Sequence, residues 1–490
     1  MTTSRSVILG VSCDYHDAAA ALIVDGRVVA AAEEERFSRV KHDANLPRGA
    51  IAACLEVAGC SAADVDRVVF YEKPLLVVAR YLASRQRSGP AGMSGFVSDV
   101  PRLLSRNLMV GYRLRRTLHE LGAKRPPIVE FVDHHRSHAA AAFYPAPFDS
   151  AAVVTVDGIG EWATATISHG HKHRLTMVEE QRYPNSLGLM YSFVTAWCGF
   201  RPNDGEYKLM GLAPYGSPTY VDALRELIDV GEHGGVRVDA RRLRWFGQSA
   251  LKDRRLQELL GGPARESAAP LTQREADLAA SIQRITEDAM FRTAERAHEL
   301  TGESALCMAG GVALNCVANG RLLREGPFDD LWVQPAAGDS GSAVGAALAL
   351  WHEEHTYAAP TDAPDGMSGA YLGPNMDDAA AAAYLGSANL PVQVVADDDE
   401  LIRMVAQRIA DGAVVAWCNG RMEFGPRALG HRSILADPRS PTVARRLNVA
   451  VKGRESFRPF APAVLAEEAA DWFHLDRPSP YMLLVVPLRE

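Results

Sequence analysis

Short apolar runs separated by polar turns set the pattern at the start of the chain. Val7 to Val11 reads as a buried strand, and the polar stretch Cys13-Asp14-Tyr15-His16-Asp17 follows it. Ala19 to Val24 reads as a second strand and Val28 to Ala32 as a third. Asp25-Gly26 between them is a hairpin turn, because both positions tolerate positive φ. The acidic run Glu33-Glu34-Glu35 ends the unit.

The pattern returns 143 residues on, at Asp157 relative to Asp14. Ala151 to Val156 reads as a strand, Asp157-Gly158-Ile159-Gly160 as a loop and Trp162 to Ile167 as a strand. Ser168-His169-Gly170 reads as a turn, and Leu175 to Val178 as a strand that runs into Glu179-Glu180. The copies share little identity, so chance similarity is the alternative. A strand, carboxylate loop, strand, turn, strand unit in two copies looks like the actin-like ATPase fold, whose related halves face each other across a nucleotide cleft.

Between the copies, Ile128 to Val132 reads as a strand, Asp133 as an N-cap and His134 to Phe143 as a helix. Leu271 to Leu300 reads as a long amphipathic helix. Thr272 to Glu275 fits a capping box, Leu278, Ile282, Ile285 and Ala289 share a face, and Gly302 ends the helix. Two strand–glycine loop–helix units follow: Leu306 to Met308 with Gly310-Gly311, and Leu331 to Gln334 with Gly338-Asp339-Ser340-Gly341. His355 to Met376 is rich in Pro, Gly, Asp and Ala. It divides the chain into 1–355, a linker at 356–376, and a smaller domain at 377–490.

Composition narrows the class. Of the 490 residues 47% are apolar and 23% charged, an ordinary globular mix, and the net charge is -8. That argues against a nucleic-acid-coating protein. The longest apolar runs, Ala18 to Val24 and Met482 to Leu488, are far short of the ~20 residues a membrane helix needs. Val7 to Val11 is too short for the core of a signal peptide. The seven cysteines form no CxxC pair and read as reduced thiols, which predicts a cytoplasmic protein. Only seven of the 52 basic residues are lysines, so a lysine inside a motif stands out.

His134 and His138 lie four apart on a predicted helix, which puts both imidazoles on one face. With Asp157 and Asp339 they form a set suited to Fe or Mn more than to a structural zinc. A solvated helix start, with His135 beside them, is the alternative. Gly310-Gly311 to Asn315 opens a helix after a strand, where backbone N–H groups favour phosphate. It is not a P-loop, since no Lys-Ser/Thr follows, and a packing glycine is the alternative. Gly205-Glu206-Tyr207-Lys208 reads as a site loop, against a surface ion pair. Arg421 to Ser433 and Val451 to Phe460 place Arg and Lys on glycine-stiffened backbone. That suits a small phosphorylated ligand better than RNA.

These stretches together resemble the O-carbamoyltransferases of antibiotic and nodulation-factor biosynthesis. The resemblance is carried by the Asp14 to Asp17 loop, Glu33 to Arg39, Lys41-His42, Asp133 to His138, Val156 to Gly158, Gly205 to Gly216, Gly310 to Asn315, Gly338 to Gly341 and Arg421 to Ser433. It implies an actin-like, duplicated large domain joined to a smaller YrdC-like domain. The YrdC-like domain would make carbamoyl adenylate from carbamoyl phosphate and ATP, with Mg. The large domain would pass the carbamoyl group to a hydroxyl of a small-molecule acceptor at an iron-type centre. His134, His138, Asp339 and Asp157 would hold the metal. Gly310, Gly311 and Asn315 would hold the adenylate, with Glu206 and Lys208 near the nucleotide. His16 and Lys41 would serve transfer. Arg421, Arg427, Lys452 and Arg458 would hold carbamoyl phosphate. Members of that family continue past Glu490, so the YrdC-like domain is expected to be incomplete, or completed by a second chain. The alternatives are another actin-like ATP-dependent kinase and an adenylate-binding module without catalysis.

Overall fold

The computed structural model describes residues 5–87, 104–243, 250–355 and 364–489. Its first sheet contains β1 (Val7–Ser12), β2 (Ala19–Val24), β3 (Arg27–Glu33), β4 (Arg67–Phe70) and β5 (Val129–Phe131). The order is β3-β2-β1-β4-β5, with β1, β4 and β5 parallel and the β1–β2–β3 meander antiparallel. The second sheet contains β6 (Ser150–Val156), β7 (Ala163–His171) and β8 (Arg174–Arg182). After the small β9–β10 hairpin (Ile228–Val230, Val236–Val238) come β11 (Ala305–Ala309) and β12 (Asp330–Val333). The order β12-β11-β6-β7-β8 repeats the first sheet strand for strand and direction for direction. The duplication expected from the sequence is therefore present in the topology.

β1 and β2 are buried along their whole length, which is why they read as continuous apolar runs rather than as alternation. Five helices matter for the site: α1 (His134–Phe143), α2 (Glu206–Leu212), α3 (Gln273–Thr301), α4 (Cys316–Glu325) and α5 (Asp339–Glu354). α5 lies between the halves at very short range. A Cβ on Gly345 would sit 1.8 Å from the Ser137 carbonyl of α1, and one on Gly10 would sit 1.9 Å from the Ala343 carbonyl. In α3 the Thr272–Glu275 capping box forms, Gly302 closes the helix at φ 69°, and Leu278, Ile282, Ile285 and Ala289 are buried as one face.

Two local expectations need correction. Ser168-His169-Gly170 is not a turn but part of β7; the hairpin turns at Lys172, with φ 54°. Gly170 lies under the Phe143 ring, where a Cβ would come within 2.4 Å, so its smallness serves packing. Asp133 does not cap α1 through its side chain. Its carboxylate pairs with Lys73 Nζ at 2.8 Å, and the His134 N–H instead donates to Glu161 Oε1 at 3.1 Å.

Residues 356–363 of the expected linker lie outside the described residues. Beyond them, Met367, Ala370 and Leu372 are buried in the main core. Among the described residues after 377, the one sheet is the β13–β14 pair (Val415–Cys418, Arg432–Leu435). Helices Asp378–Ser387 and Asp398–Ala410 bury no side chain. This part is tied back to the large unit. Tyr481 Oη donates to the buried Asp365 carboxylate at 2.7 Å, and the Val485 N–H donates to the Cys316 carbonyl at 3.0 Å.

Candidate functional site

The strand that ends at Val156 and the two helices α1 and α5 converge on one buried point. There, ligand atoms of His134, His138, Asp157 and Asp339 all lie within 4.8 Å of one another. His134 Nε2 is 3.0 Å from His138 Nε2 and 3.3 Å from Asp157 Oδ2. Both Nε2 atoms stand 3.5–3.6 Å from Asp339 Oδ1, too far for a hydrogen bond. Neither oxygen of the buried Asp339 carboxylate has a hydrogen-bond partner among the described residues. Such orphaned charge is costly unless something of opposite sign lies between the groups. The donor set fits a divalent cation.

The surroundings aim these ligands. Ser342 Oγ on α5 is 3.1 Å from His138 Nδ1, which leaves Nε2 facing the cluster. His135 turns away, with its Nδ1 2.7 Å from Thr155 Oγ1, and burial together with His134 and His138 holds it neutral. Burial alone would lower the basicity of His134, but Asp157 and Asp339 raise it to about 9. Asp157 is driven the other way. Burial would raise it, yet the His134 hydrogen bond and the neighbouring imidazoles take it well below the usual carboxylate range.

His16 enters from the β1–β2 loop, with Nε2 3.7 Å from Asp339 Oδ2 and Nδ1 2.8 Å from Asp17 Oδ2. Burial works against its charge, but Asp339 and Asp17 raise it to about 10. Lys41 is ion-paired with Asp204, and its Nζ donates to Tyr207 Oη at 3.0 Å. His16 and Lys41 thus reach one region from the first half of the duplicated unit.

The glycine loop joins the same centre. Gly310 has φ 92°, and a Cβ there would meet the Val156 carbonyl at 2.3 Å. The Gly311 N–H donates to Asp157 Oδ1 at 2.8 Å. Asn315 caps α4 through the Ala318 N–H and exchanges amide hydrogen bonds with Gln283 of α3 at 2.9–3.0 Å. Gly205 to Lys208, read from the sequence as a loop, instead opens α2, with Gly205 as its N-cap; Glu206 accepts from Ser192 Oγ at 2.6 Å and from the Asn203 N–H at 3.0 Å. Lys208 pairs with Glu455 at 3.3 Å.

The four basic residues do not form one group. Lys452, Arg454 and Arg458 repel one another, a mark of closeness, with burial the larger factor lowering Lys452. The Arg458 guanidinium lies 4.1 Å from the Tyr207 ring centre, so this cluster rests on the first turn of α2. Arg421 instead donates to the carbonyls of Val29, Leu372 and Gly373. Burial raises the Cys316 thiol at the start of α4, with Arg427 the smaller opposing influence, and the Arg427 Nε is buried without a partner among the described residues.

Sequence reasoning missed Glu161, Glu72 and Asp204. Glu161 closes the Asp157-Gly-Ile-Gly-Glu161 loop, so a second carboxylate four residues after the first was the available signal. Glu72 is buried behind His134, and burial, with Glu161 and Asp339, raises it to about 8 against the opposing His134. Nothing local marks Asp204, which becomes visible only through Lys41.

Residues 7–348 match the carbamoyltransferase N-terminus family and residues 406–490 the carbamoyltransferase C-terminus family. An uncharacterized protein of Synechocystis is 49% identical over 99% of this chain and 79% of its own length. The nodulation protein NolNO of Sinorhizobium fredii is 39% identical over 97% of this chain and 66% of its own. The 3'-hydroxymethylcephem-O-carbamoyltransferase of Amycolatopsis lactamdurans is 31% identical over 73% of this chain and 64% of its own. The chain thus spans about two thirds of the length of the last two. With its duplicated sheets, its buried His–Asp cluster and these matches, the chain belongs to the carbamoyltransferase family.

Proposed function

We propose that the protein is an ATP-dependent O-carbamoyltransferase that moves a carbamoyl group from carbamoyl phosphate, through carbamoyl adenylate, to a hydroxyl of a small natural product. One observation carries the reading: His16 Nε2 faces the buried His134–His138–Asp157–Asp339 cluster, 3.7 Å from Asp339. We take residues 1–355 as the transfer unit and 377–490 as a YrdC-like adenylate-forming unit.

In that unit, Lys452 and Arg458 would bind carbamoyl phosphate. Water releases phosphate from it, and the resulting carbamate attacks the α-phosphorus of Mg-bound ATP, expelling pyrophosphate. Gly310 and Gly311 offer backbone close to the adenylate. The acceptor oxygen then attacks the carbamoyl carbon, the bond to the adenylate phosphate breaks, AMP leaves, and the hydroxyl proton passes to His16 Nε2. Lys41 neutralises charge beside the leaving phosphate. His134, His138, Asp157 and Asp339 would hold a divalent ion, Fe(II) or Mn(II). When bound there, the ion polarises the carbamoyl oxygen and cancels the carboxylate charge that otherwise keeps His16 protonated.

The test supplies carbamoyl phosphate, ATP and a panel of hydroxylated small molecules. AMP and pyrophosphate release together with a carbamoyl mass gain on an acceptor is expected. ADP release would make the protein a kinase, and tight adenylate binding without turnover would make it a binding module.

A further inference from the structure

His16 does not stand alone. Its Nδ1 is 2.8 Å from Asp17 Oδ2, while the other oxygen of the same carboxylate is 2.6 Å from His42 Nδ1. His42 Nε2 is 3.0 Å from Asp204 Oδ1, the atom that also holds Lys41. The His42 backbone N–H donates to Glu35 Oε2 at 2.9 Å. A chain of five side chains thus runs from His16 through Asp17, His42 and Asp204 to Lys41.

The order of donors and acceptors in this chain is constrained. An ionised carboxylate only accepts, so both nitrogens facing Asp17 must carry protons. A neutral His16 is then the Nδ1–H tautomer, with a bare Nε2 on the side of Asp339. His42 meets a carboxylate at each nitrogen and is the imidazolium. Burial opposes that charge, but the Asp17 hydrogen bond outweighs it.

The backbone marks the same residues. Asp17 has φ 50° and His42 φ 55°, and Asn203, next to Asp204, has φ 64°. Left-handed conformations at non-glycine positions are strained and persist where surroundings enforce them. Asp17 and His42 are inner members of the chain, and Asn203 adjoins Asp204, so the strain falls on the residues that hold the chain together.

We infer that Asp17 and His42 are positioning residues for carbamoyl transfer: Asp17 fixes the His16 tautomer that presents a bare Nε2 to the acceptor hydroxyl, and His42 holds Asp17 and Asp204 in the register that links Lys41 to His16. This deepens the reading of His16 as the base in transfer and rests on it.

Asp17→Asn decides the matter. The amide keeps the shape but has one donor side. With His42 still donating to the amide oxygen, the NH2 group faces His16 Nδ1 and forces the Nε2–H tautomer. Two readouts are needed. The first is independent of turnover: 15N NMR of the His16 ring, identified by its loss in His16→Gln, should show Nδ1–H in the neutral ring of the wild type and Nε2–H in Asp17→Asn. The second is transfer from supplied carbamoyl adenylate. There kcat should fall at least 100-fold with the acceptor KM within about threefold, and Asp17→Glu should restore part of it, as expected when the wrong tautomer faces the substrate. His42→Gln should lower kcat less and leave the His16 tautomer unchanged. An Nε2–H His16 in the wild type, or normal kcat in Asp17→Asn, would overturn the inference. A wild type that shows the Nδ1–H tautomer but transfers no carbamoyl group would instead refute the proposed reaction and leave the tautomer assignment standing.

Discussion

His134 and His138 face each other through their Nε2 atoms at 3.0 Å, one turn apart on a buried helix. Two bare lone pairs at that distance repel, so the pair needs a shared proton or a cation. Asp157 and Asp339 around it favour the cation. His134→Ala and His138→Ala are each expected to lose bound metal and transfer activity while the fold survives. Elemental analysis with circular dichroism checks this, and unchanged metal content in both variants would refute the ligand assignment.

The helix that carries these histidines is held in place by an absent side chain. Gly345 of α5 lies against Ser137, between the two ligands, with no room for a Cβ. Gly345→Ala should destabilise the protein by about 1–3 kcal/mol through overpacking, and should also lower metal content by displacing α1. Gly386, in an exposed helix with open space around its Cα, is the control. Gly386→Ala should be neutral or stabilising by up to about 1 kcal/mol. Equal melting temperatures for the two variants would show that α1 and α5 are less tightly opposed than described.

Lys452 and Arg427 should now part company. Lys452 stands with Arg454 and Arg458, so Lys452→Ala should slow carbamoyl-phosphate-dependent pyrophosphate release, losing about 1.5–3 kcal/mol of charge-assisted bonding, and spare transfer from supplied adenylate. Arg427 stands outside that cluster, with its Nε buried and its charge felt at Cys316, the first residue of α4, against the larger effect of burial, so Arg427→Ala should impair both steps. The two half-reactions measured separately decide this; identical profiles for the variants would remove the distinction.

Part of the acid sensitivity should arise away from the metal cluster. His352 is buried on α5 and stacked on Tyr144 at 3.9 Å, and burial, with His173 and His355, lowers it to about 4. The unfolded chain binds a proton at the ordinary value near 6.5. Between pH 6.5 and about 4 the unfolded state therefore holds the extra proton, and stability falls as pH drops through that window, by roughly 3 kcal/mol in all. His352→Gln should flatten the melting temperature over this range relative to the wild type. Parallel pH profiles would show that His352 charges without cost.

Much of this was legible in the chain because local and long-range demands coincide. The β2–β3 hairpin, the capping box of α3 and its Gly302 stop are each set by residues within a few positions of one another. So was the i, i+4 pair His134 and His138, since helical spacing alone puts both on one face. Gly170 misled because a glycine needed for the Phe143 ring looks the same in sequence as a glycine needed for a turn. Asp133 stands at the α1 N-cap as read, but its side chain does not make the capping bond, because Glu161 arrives from the loop between β6 and β7 to take the His134 N–H. Asp17 and His42 stood in motifs, but their shared hydrogen bonds depend on two left-handed residues, and no propensity of Asp or His announces that geometry. Arg421 and Arg427 were grouped by sequence closeness; the fold sends their guanidinium groups to different places.

Tyr481 and Val485 fasten the far end of the C-terminal part to the same large unit that holds its beginning at Met367 to Leu372. Between those ends, Arg421 donates to the Val29 carbonyl and Glu455 pairs with Lys208, so the segment is fastened along its length and not only at its moorings. Tyr207 stands where that segment meets the large unit, with Lys41 Nζ 4.9 Å from its ring centre and the Arg458 guanidinium 4.1 Å from it. One aromatic ring is thus a party wall between the cation of the transfer site and the cations of the basic cluster. On the proposed reaction, the activated carbamoyl group passes from the cations on one side of this ring to the cation on the other.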